Sequence, residues 1–392
     1  MSYQVSARKW RPQTFSEVVG QSHVAKTLMN AVRQGRIAQA YLFSGSRGVG
    51  KTTMARILAK ALNCSEREKG DGVTPCQTCE SCQGITAGTS PDVIEIDGAS
   101  NRGIDEVREL REVVKYAPMG GRHKVYIIDE VHMLTKEAFN ALLKTLEEPP
   151  PHIVFVFATT EDNKIPTTIL SRCQHFNFKR ISRQETSDQL KKIIGEENLE
   201  LSDRGLSMIA KAAEGSLRDA LSLLDQAVAY AGKAVSDEDL QTILGTAGRE
   251  QVLVMLEHVI ERRTAEGLSL VKELSDQGYD LRQFTLSLVE YFRHLVVARE
   301  TKNPGELIDL PPDEIEEVRR MAEKTGTEEV QRLFGIFSAA VEGFRTAVYP
   351  SFVLEMALVR ATRIPPLESF EKLLERMEGF ESSGSEVRPR PA

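Results

Sequence analysis

GSRGVGKT, residues 45–52, fills every fixed position of the phosphate-binding loop: a glycine, four free residues, then Gly-Lys-Thr. Glycines at 45, 48 and 50 let the backbone turn tightly, so that successive N–H groups point inward at a polyphosphate. The candidate nucleotide ligands are therefore Gly45, Ser46, Arg47, Gly48, Val49, Gly50, Lys51, Thr52 and Thr53. Lys51 is expected to reach the β- and γ-phosphates, and the Thr52 hydroxyl to ligate Mg²⁺. The flanks agree with this. AYLFSG (40–45) reads as a short buried strand, and TTMARILAKAL (52–62) as a helix with Ala55, Leu58, Ala59 and Leu62 on one face. The N-terminus of that helix adds its dipole to the loop. Such a chain binds a nucleoside triphosphate.

At 392 residues the chain is too long for one ordinary core, so two or three domains are expected. A hydrophobic content of 41% and a charged content of 27% are those of a globular protein. The net charge of −7 argues against wholesale coating of nucleic acid, although a local basic track is compatible with it. MSYQVSARKWRPQTF has no apolar signal region, and no apolar run is long enough to span a bilayer. A cytoplasmic protein with no membrane partner is expected.

Four of the five cysteines cluster as Cys64, then Cys76-x-x-Cys79-x-x-Cys82. Two-residue gaps let neighbouring thiolates converge on one ion, and the fourth thiolate closes a tetrahedral site with no position open for water. Zinc in a structural role is the expectation. An iron–sulfur cluster would begin with the same spacing, but the further C-x₃-C-P is absent.

Beyond the cysteines, apolar strands alternate with helices. Strands are read at 92–97, 124–130, 152–160 and 174–179, and helices at 104–117 and 135–150. This pattern implies a parallel sheet covered on both faces, with ligands at the carboxyl ends of its strands. The strand at 124–130 ends in Asp129-Glu130, the acidic partner that a phosphate loop needs. Asp129 is expected to hold Mg²⁺, and Glu130 to orient and deprotonate the attacking water. Thr159 and Thr160 emerge at the end of the next strand.

Ahead of the first strand, Pro12 suggests an extended segment followed by a short helix opening near Ser22, with Trp10 as an apolar lid on the edge of a core. After residue 181 the strand signal stops. Helices are read at 182–197, 202–213 and 216–231, and all periodic segments from 245 to 362 are helical, the longest at 279–300. A last short helix and a polar, proline-ending tail follow.

RKWRPQTFSEVVGQ, GSRGVGKTT, the four cysteines, VYIIDEVHML, ALLKTLEEPP, ATTEDNKIPTTILSRC and GSLRDALSLLDQA together resemble the gamma/tau subunits of bacterial DNA polymerase III, the motor of the sliding-clamp loader. The resemblance covers residues 1 to about 360. It implies an α/β AAA+ module at 1–180 with five parallel strands and a zinc insertion at 64–82. It also implies a three-helix lid at 181–243, a helical collar at 244–365, and a short helix and tail at 366–392. ATP, Mg²⁺ and Zn²⁺ are the implied cofactors. Arg8, Arg11 and Pro12 would lie beside the adenine, and Thr160 would sense the γ-phosphate. Arg218 would reach that phosphate from the lid, while Arg172 would be an arginine finger offered to a neighbour's ATP. The implied partners are delta and delta-prime subunits and further copies of the chain in a five-subunit ring, the clamp, and primed DNA held through phosphates by Arg102 and Lys144. Tau forms continue past the collar, whereas this sequence stops at 392, as a gamma-type product or a truncated chain would, so a polymerase-tethering role is not expected of it. Two other readings fit part of the pattern. A branch-migration motor would need a DNA-binding module that the helical 245–362 does not resemble. A non-hydrolysing scaffold is at odds with intact Lys51, Thr52, Asp129, Glu130 and Arg172.

Overall fold

The computed structural model describes residues 4–67, 71–100, 103, 114, 116–244, 249–308, 310 and 312–364. The helix expected at 104–117, Arg102, the last short helix and the tail lie wholly or mostly outside the described residues. The chain divides into two compact units, Met1–Ile243 and Leu244–Ala392.

The first unit is built on five parallel strands: β1 (Ala40–Ser44), β2 (Val93–Asp97), β3 (Lys124–Asp129), β4 (Ile153–Thr159) and β5 (Gln174–Asn177). They lie in the order β2-β3-β4-β1-β5, so β1 is inserted between β4 and β5. Side chains alternate across the sheet, as the two-residue period of a strand requires. Tyr41, Phe43, Val125, Ile127, Val154 and Val156 pack on one side with helices α2 (Ser22–Gln34) and α3 (Lys51–Asn63). Leu42, Tyr126, Ile128, Phe155 and Phe157 pack on the other with Phe139, Leu142 and Leu146 of a helix at Lys136–Glu147. Truncating fully buried Phe157 to Ala would cost about 3–5 kcal/mol. Register aligns Ser44 with Thr159 and Asp97 with Asp129, which brings the phosphate loop and both acidic positions to one end of the sheet.

All five strands follow the sequence pattern, as do the helices expected at 52–62 and 135–150. Before β1, the entry expected to be extended holds instead a one-turn helix α1 (Ser6–Lys9) and a 3₁₀ turn at Phe15–Glu17, whereas the expected helix does open at Ser22 and runs 13 residues. α1 is tied to the helices that follow the sheet: Ser6 N donates to Asp225 Oδ2 at 2.8 Å, and Trp10 Nε1 to Glu197 Oε1 at 3.1 Å. Trp10 therefore lids the core of those helices rather than the sheet's.

The insertion after α3 carries helix α4 (Glu80–Ala87), unread in the sequence; the helix named above at Lys136–Glu147 is α5, and α6 (Thr167–Leu170) precedes β5. Helices α7 (Arg183–Glu197), α8 (Asp203–Ala212) and α9 (Leu217–Ala231) follow the sheet, each opening on a serine whose hydroxyl accepts an N–H of the first turn. At Ser182 the cap is a full capping box with Glu185. A fourth helix, α10 (Asp237–Leu244), was also unread. It is short and buries only Leu240 against the same core, so it lacks a visible period.

In the second unit the described residues form six α-helices, α11 (Arg249–Ile260), α12 (Thr264–Asp276), α13 (Leu281–Glu300), α14 (Pro312–Glu323), α15 (Thr327–Gly343) and α16 (Pro350–Thr362). They share a core in which Phe292 stacks on Phe337 at 5.3 Å between ring centroids.

Candidate nucleotide-binding site

The phosphate loop joins β1 to α3. Gly48 has φ +73°, and a Cβ there would lie 2.0 Å from the Ser216 hydroxyl that caps α9. Only glycine lets the loop and the α9 N-terminus approach so closely. Lys51 is almost fully buried, and its ammonium donates to the carbonyls of Gly45 at 2.8 Å and Ser46 at 2.9 Å. Burial pulls its pKa below the ordinary lysine value, while Glu130 and Asp129 oppose the shift. The two carboxylates across the loop thus favour the charged form against burial.

Thr52, on the first turn of α3, donates its hydroxyl to Asp129 Oδ2 at 2.6 Å. These two oxygens come from elements 77 residues apart and form the hard, oxygen-only donor set that suits Mg²⁺. Glu130 follows in the left-handed region at φ 45°, its N–H donating to Asp129 Oδ1 at 2.9 Å. A non-glycine residue held there carries about 1–3 kcal/mol of local strain, which tertiary contacts must offset. One such contact is Gly98, after β2, where a Cβ would meet the Glu130 carbonyl oxygen at 2.7 Å. Thr160 donates its hydroxyl to Glu130 Oε2 at 3.0 Å.

A residue that the sequence reading passed over completes this corner. The His132 side chain is buried, with Nδ1 3.0 Å from Thr159 Oγ1 and 3.4 Å from Glu130 Oε2, and Nε2 3.4 Å from Glu161 Oε1. Glu161 in turn pairs with Lys164 at 2.8 Å, and that ammonium pulls its carboxyl below the usual range. His132 so bridges the end of β3 to the end of β4. Its place two residues after Glu130 was the only available signal.

The cavity over the loop is lined by Arg47, Gly48, Lys51, Thr52, Asp129 and Glu130 on the phosphate side. Pro12, Val18, Val19, Ile181, Leu217 and Leu221 give it an apolar part, and Arg11 and Arg218 edge it. Arg8, expected beside the base, does not line this cavity; it faces an adjoining one together with Arg11. Arg172 lies elsewhere, between α6 and the edge strand β5, where it donates to Thr168 O and to Glu147 Oε1, each at 2.7 Å. Cys173 beside it is packed against the sheet's second core, and burial pushes its thiol up to about 12. Lys144 is exposed on α5, and Arg102 lies outside the described residues.

Cys64, Cys76, Cys79 and Cys82 come together with all four sulfurs within 4.8 Å of one another. Tetrahedral zinc–thiolate bonds of about 2.3 Å place sulfurs about 3.8 Å apart, so the cluster fits that ion with small movements. Gln77, at φ 63°, makes the tight turn between the second and third ligands. Backbone N–H groups of Cys76, Cys79 and Cys82 donate to the sulfurs of Cys64, Cys76 and Cys79 at 3.3–3.4 Å, as thiolates favour. The set consists of four sulfurs with no oxygen or nitrogen ligand, which suits a closed structural site.

Three family models match the chain in succession: DNA polymerase III, delta subunit, over residues 20–182; DNA polymerase III clamp loader subunit, ATPase lid domain, over 185–233; and DNA polymerase III subunits gamma and tau domain III over 235–377. The chain is 41% identical over 387 residues to DNA polymerase III subunit tau of Bacillus subtilis, covering 96% of this chain and 68% of that one. It is 48% identical over 299 residues to the Escherichia coli tau subunit, covering 76% and 46%, and 37% identical to the gamma subunit of Buchnera aphidicola, covering 92% and 99%. It thus spans about two thirds of the Bacillus relative, under half of the Escherichia one, and nearly all of the Buchnera one. Among solved structures, the Thermotoga maritima RuvB Holliday junction branch migration motor aligns with a TM-score of 0.45 at 19% identity, over 64% of this chain and 80% of that one.

Proposed function

Because the chain belongs to the gamma and tau subunit family of DNA polymerase III, we propose that it is the ATP-driven motor that opens the ring clamp and loads it onto primed DNA. An ATPase of this class uses a nucleotide and Mg²⁺. The observation that carries the reading is the Thr52–Asp129 hydrogen bond at 2.6 Å, made at the strand end where Glu130 is held by Thr160. In this reading Lys51 binds the β- and γ-phosphates, and Thr52 and Asp129 hold the Mg²⁺. The ion would neutralise charge on the phosphate oxygens. Glu130 takes the proton of the attacking water, and Thr160, already bonded to Glu130, links that carboxylate to the γ-phosphate. Arg218 reaches the same phosphate from the α9 N-terminus. Arg172 serves the ATP of a neighbouring subunit.

The roles of the other parts follow from the same reading. Residues 1–180 form the nucleotide module, 181–243 its lid, and 244–365 a collar that assembles a five-subunit ring with delta, delta-prime and further copies. The four cysteines bind one structural zinc. Primed DNA is held through phosphates, with Lys144 and Arg102 among the contacts.

Glu130→Gln tests the hydrolytic assignment. It should bind ATP as the parent does and lose turnover by about 10²–10⁴. Undiminished turnover would remove Glu130 from the chemistry.

A further inference from the structure

Beside the nucleotide cavity lie two adjoining hollows of about 300 and 530 Å³, between α1, α3 and α4. Their walls carry Arg8, Arg11, Arg56, Lys60 and Arg218, and among the described residues no carboxylate lines either of them. Two of these cations are already satisfied. Arg56 pairs with Glu95, its Nη2 donating at 2.6 Å, and buried Lys60 donates to the amide oxygens of Gln13 and Gln77. For the Arg8 and Arg11 guanidinium groups no acceptor or ion pair exists among the described residues. Arg11 is the more buried of the two. Burial lowers its pKa, Arg56, Arg218 and Arg8 lower it further, and only Glu95 opposes them. A half-buried guanidinium without an acceptor is costly unless an anion reaches it, and its planar fork suits phosphate oxygens.

We propose that this cavity is a second phosphate-binding site, which takes the polyphosphate group of a small ligand. Its size favours a small ligand over a nucleic-acid backbone: the two hollows, of about 300 and 530 Å³, have the volumes of small-molecule pockets. Arg11 and Arg218 line both this cavity and the nucleotide cavity, so a ligand here shares two cations with the bound nucleotide and is coupled to it. The inference rests on nucleotide occupying the phosphate loop.

The test uses the full chain with excess Mg²⁺ and a non-hydrolysable ATP analogue. Binding of the analogue is measured first by equilibrium dialysis; its failure would sink the nucleotide reading itself. Radiolabelled pyrophosphate is then dialysed against the analogue-saturated protein. One pyrophosphate per chain is expected. Thr86→Glu and Gln83→Glu, exposed positions of α4 on the cavity wall, should each weaken it about tenfold or more without changing affinity for the analogue. No pyrophosphate bound beside the analogue, or binding unchanged in both variants, would overturn the proposal. So would displacement of pyrophosphate by a DNA oligonucleotide, which would assign the cavity to nucleic acid.

Discussion

Arg172 donates to the Glu147 carboxylate at 2.7 Å, so within a single chain this arginine closes on the last residue of α5. The side chains are 33% and 52% exposed, and a pair of this kind contributes about 0–1 kcal/mol. Such a contact is weak enough to be exchanged for a phosphate. Arg172→Ala should therefore still bind ATP and unfold within about 1 kcal/mol of the parent, yet lose turnover at sites facing its altered edge. Mixed with Lys51→Ala chains, which keep their arginine, it should recover part of the activity. Absence of recovery in rings shown to contain both chains would leave Arg172 as an edge salt bridge.

Cys79→Ser should release the metal and unfold the insertion locally while nucleotide affinity stays close to the parent's. A structural zinc contributes about 10–16 kcal/mol of apparent binding energy in small peptides, so the local loss should be complete. Less than one zinc per chain, in protein never exposed to chelator, would contradict the assignment.

Asp92, just before β2, is a buried carboxylate that accepts N–H bonds from Met119, Gly120 and Gly121 at 2.6–2.8 Å. Burial raises its pKa, but those three bonds together with Lys124 outweigh burial and hold it below the ordinary 3.8. A depressed folded-state pKa stabilises the fold above the unfolded value, and that stability is lost as pH falls through the folded one. Asp92→Asn should cost about 1–3 kcal/mol at neutral pH, with the gap to the parent narrowing below about pH 4. Thermal unfolding of both proteins across that range checks it; a gap that widens toward acid pH would be inconsistent.

Strands β1, β3 and β4 were legible because each is a short, mainly apolar run ending in a polar residue, and the phosphate loop was legible because its chemistry fixes its spacing. What stayed hidden is instructive. Helix α4 begins at the third cysteine, where the Cys79 sulfur also accepts the Cys82 N–H, so a ligand pattern masked a helix cap. The Asp92 and Glu147 contacts join residues 25 or more apart through single polar side chains, which no periodicity reveals. Arg8 sits three residues from Arg11 and shares the adjoining hollow with it, yet only Arg11 also edges the nucleotide cavity, a difference that their common residue type does not reveal.

His132 is the residue whose role comes from the structure alone. Its ring lies between the Glu130 and Glu161 carboxylates, 3.4 Å from each, where it helps to limit how Glu130 can turn. His132→Ala should lower kcat by about tenfold to a hundredfold while leaving the affinity for ATP unchanged. Equal losses in kcat and in nucleotide affinity would instead mean that the strand ends had collapsed.

The most direct measurement of the central claim is the steady-state ATPase rate of the chain assembled with delta and delta-prime subunits. It is taken with the clamp alone, primed DNA alone, and both together. A clamp-loading motor predicts stimulation by the two together well beyond the sum of their separate effects, and its loss in Glu130→Gln. A rate indifferent to the clamp at every DNA concentration would contradict the account.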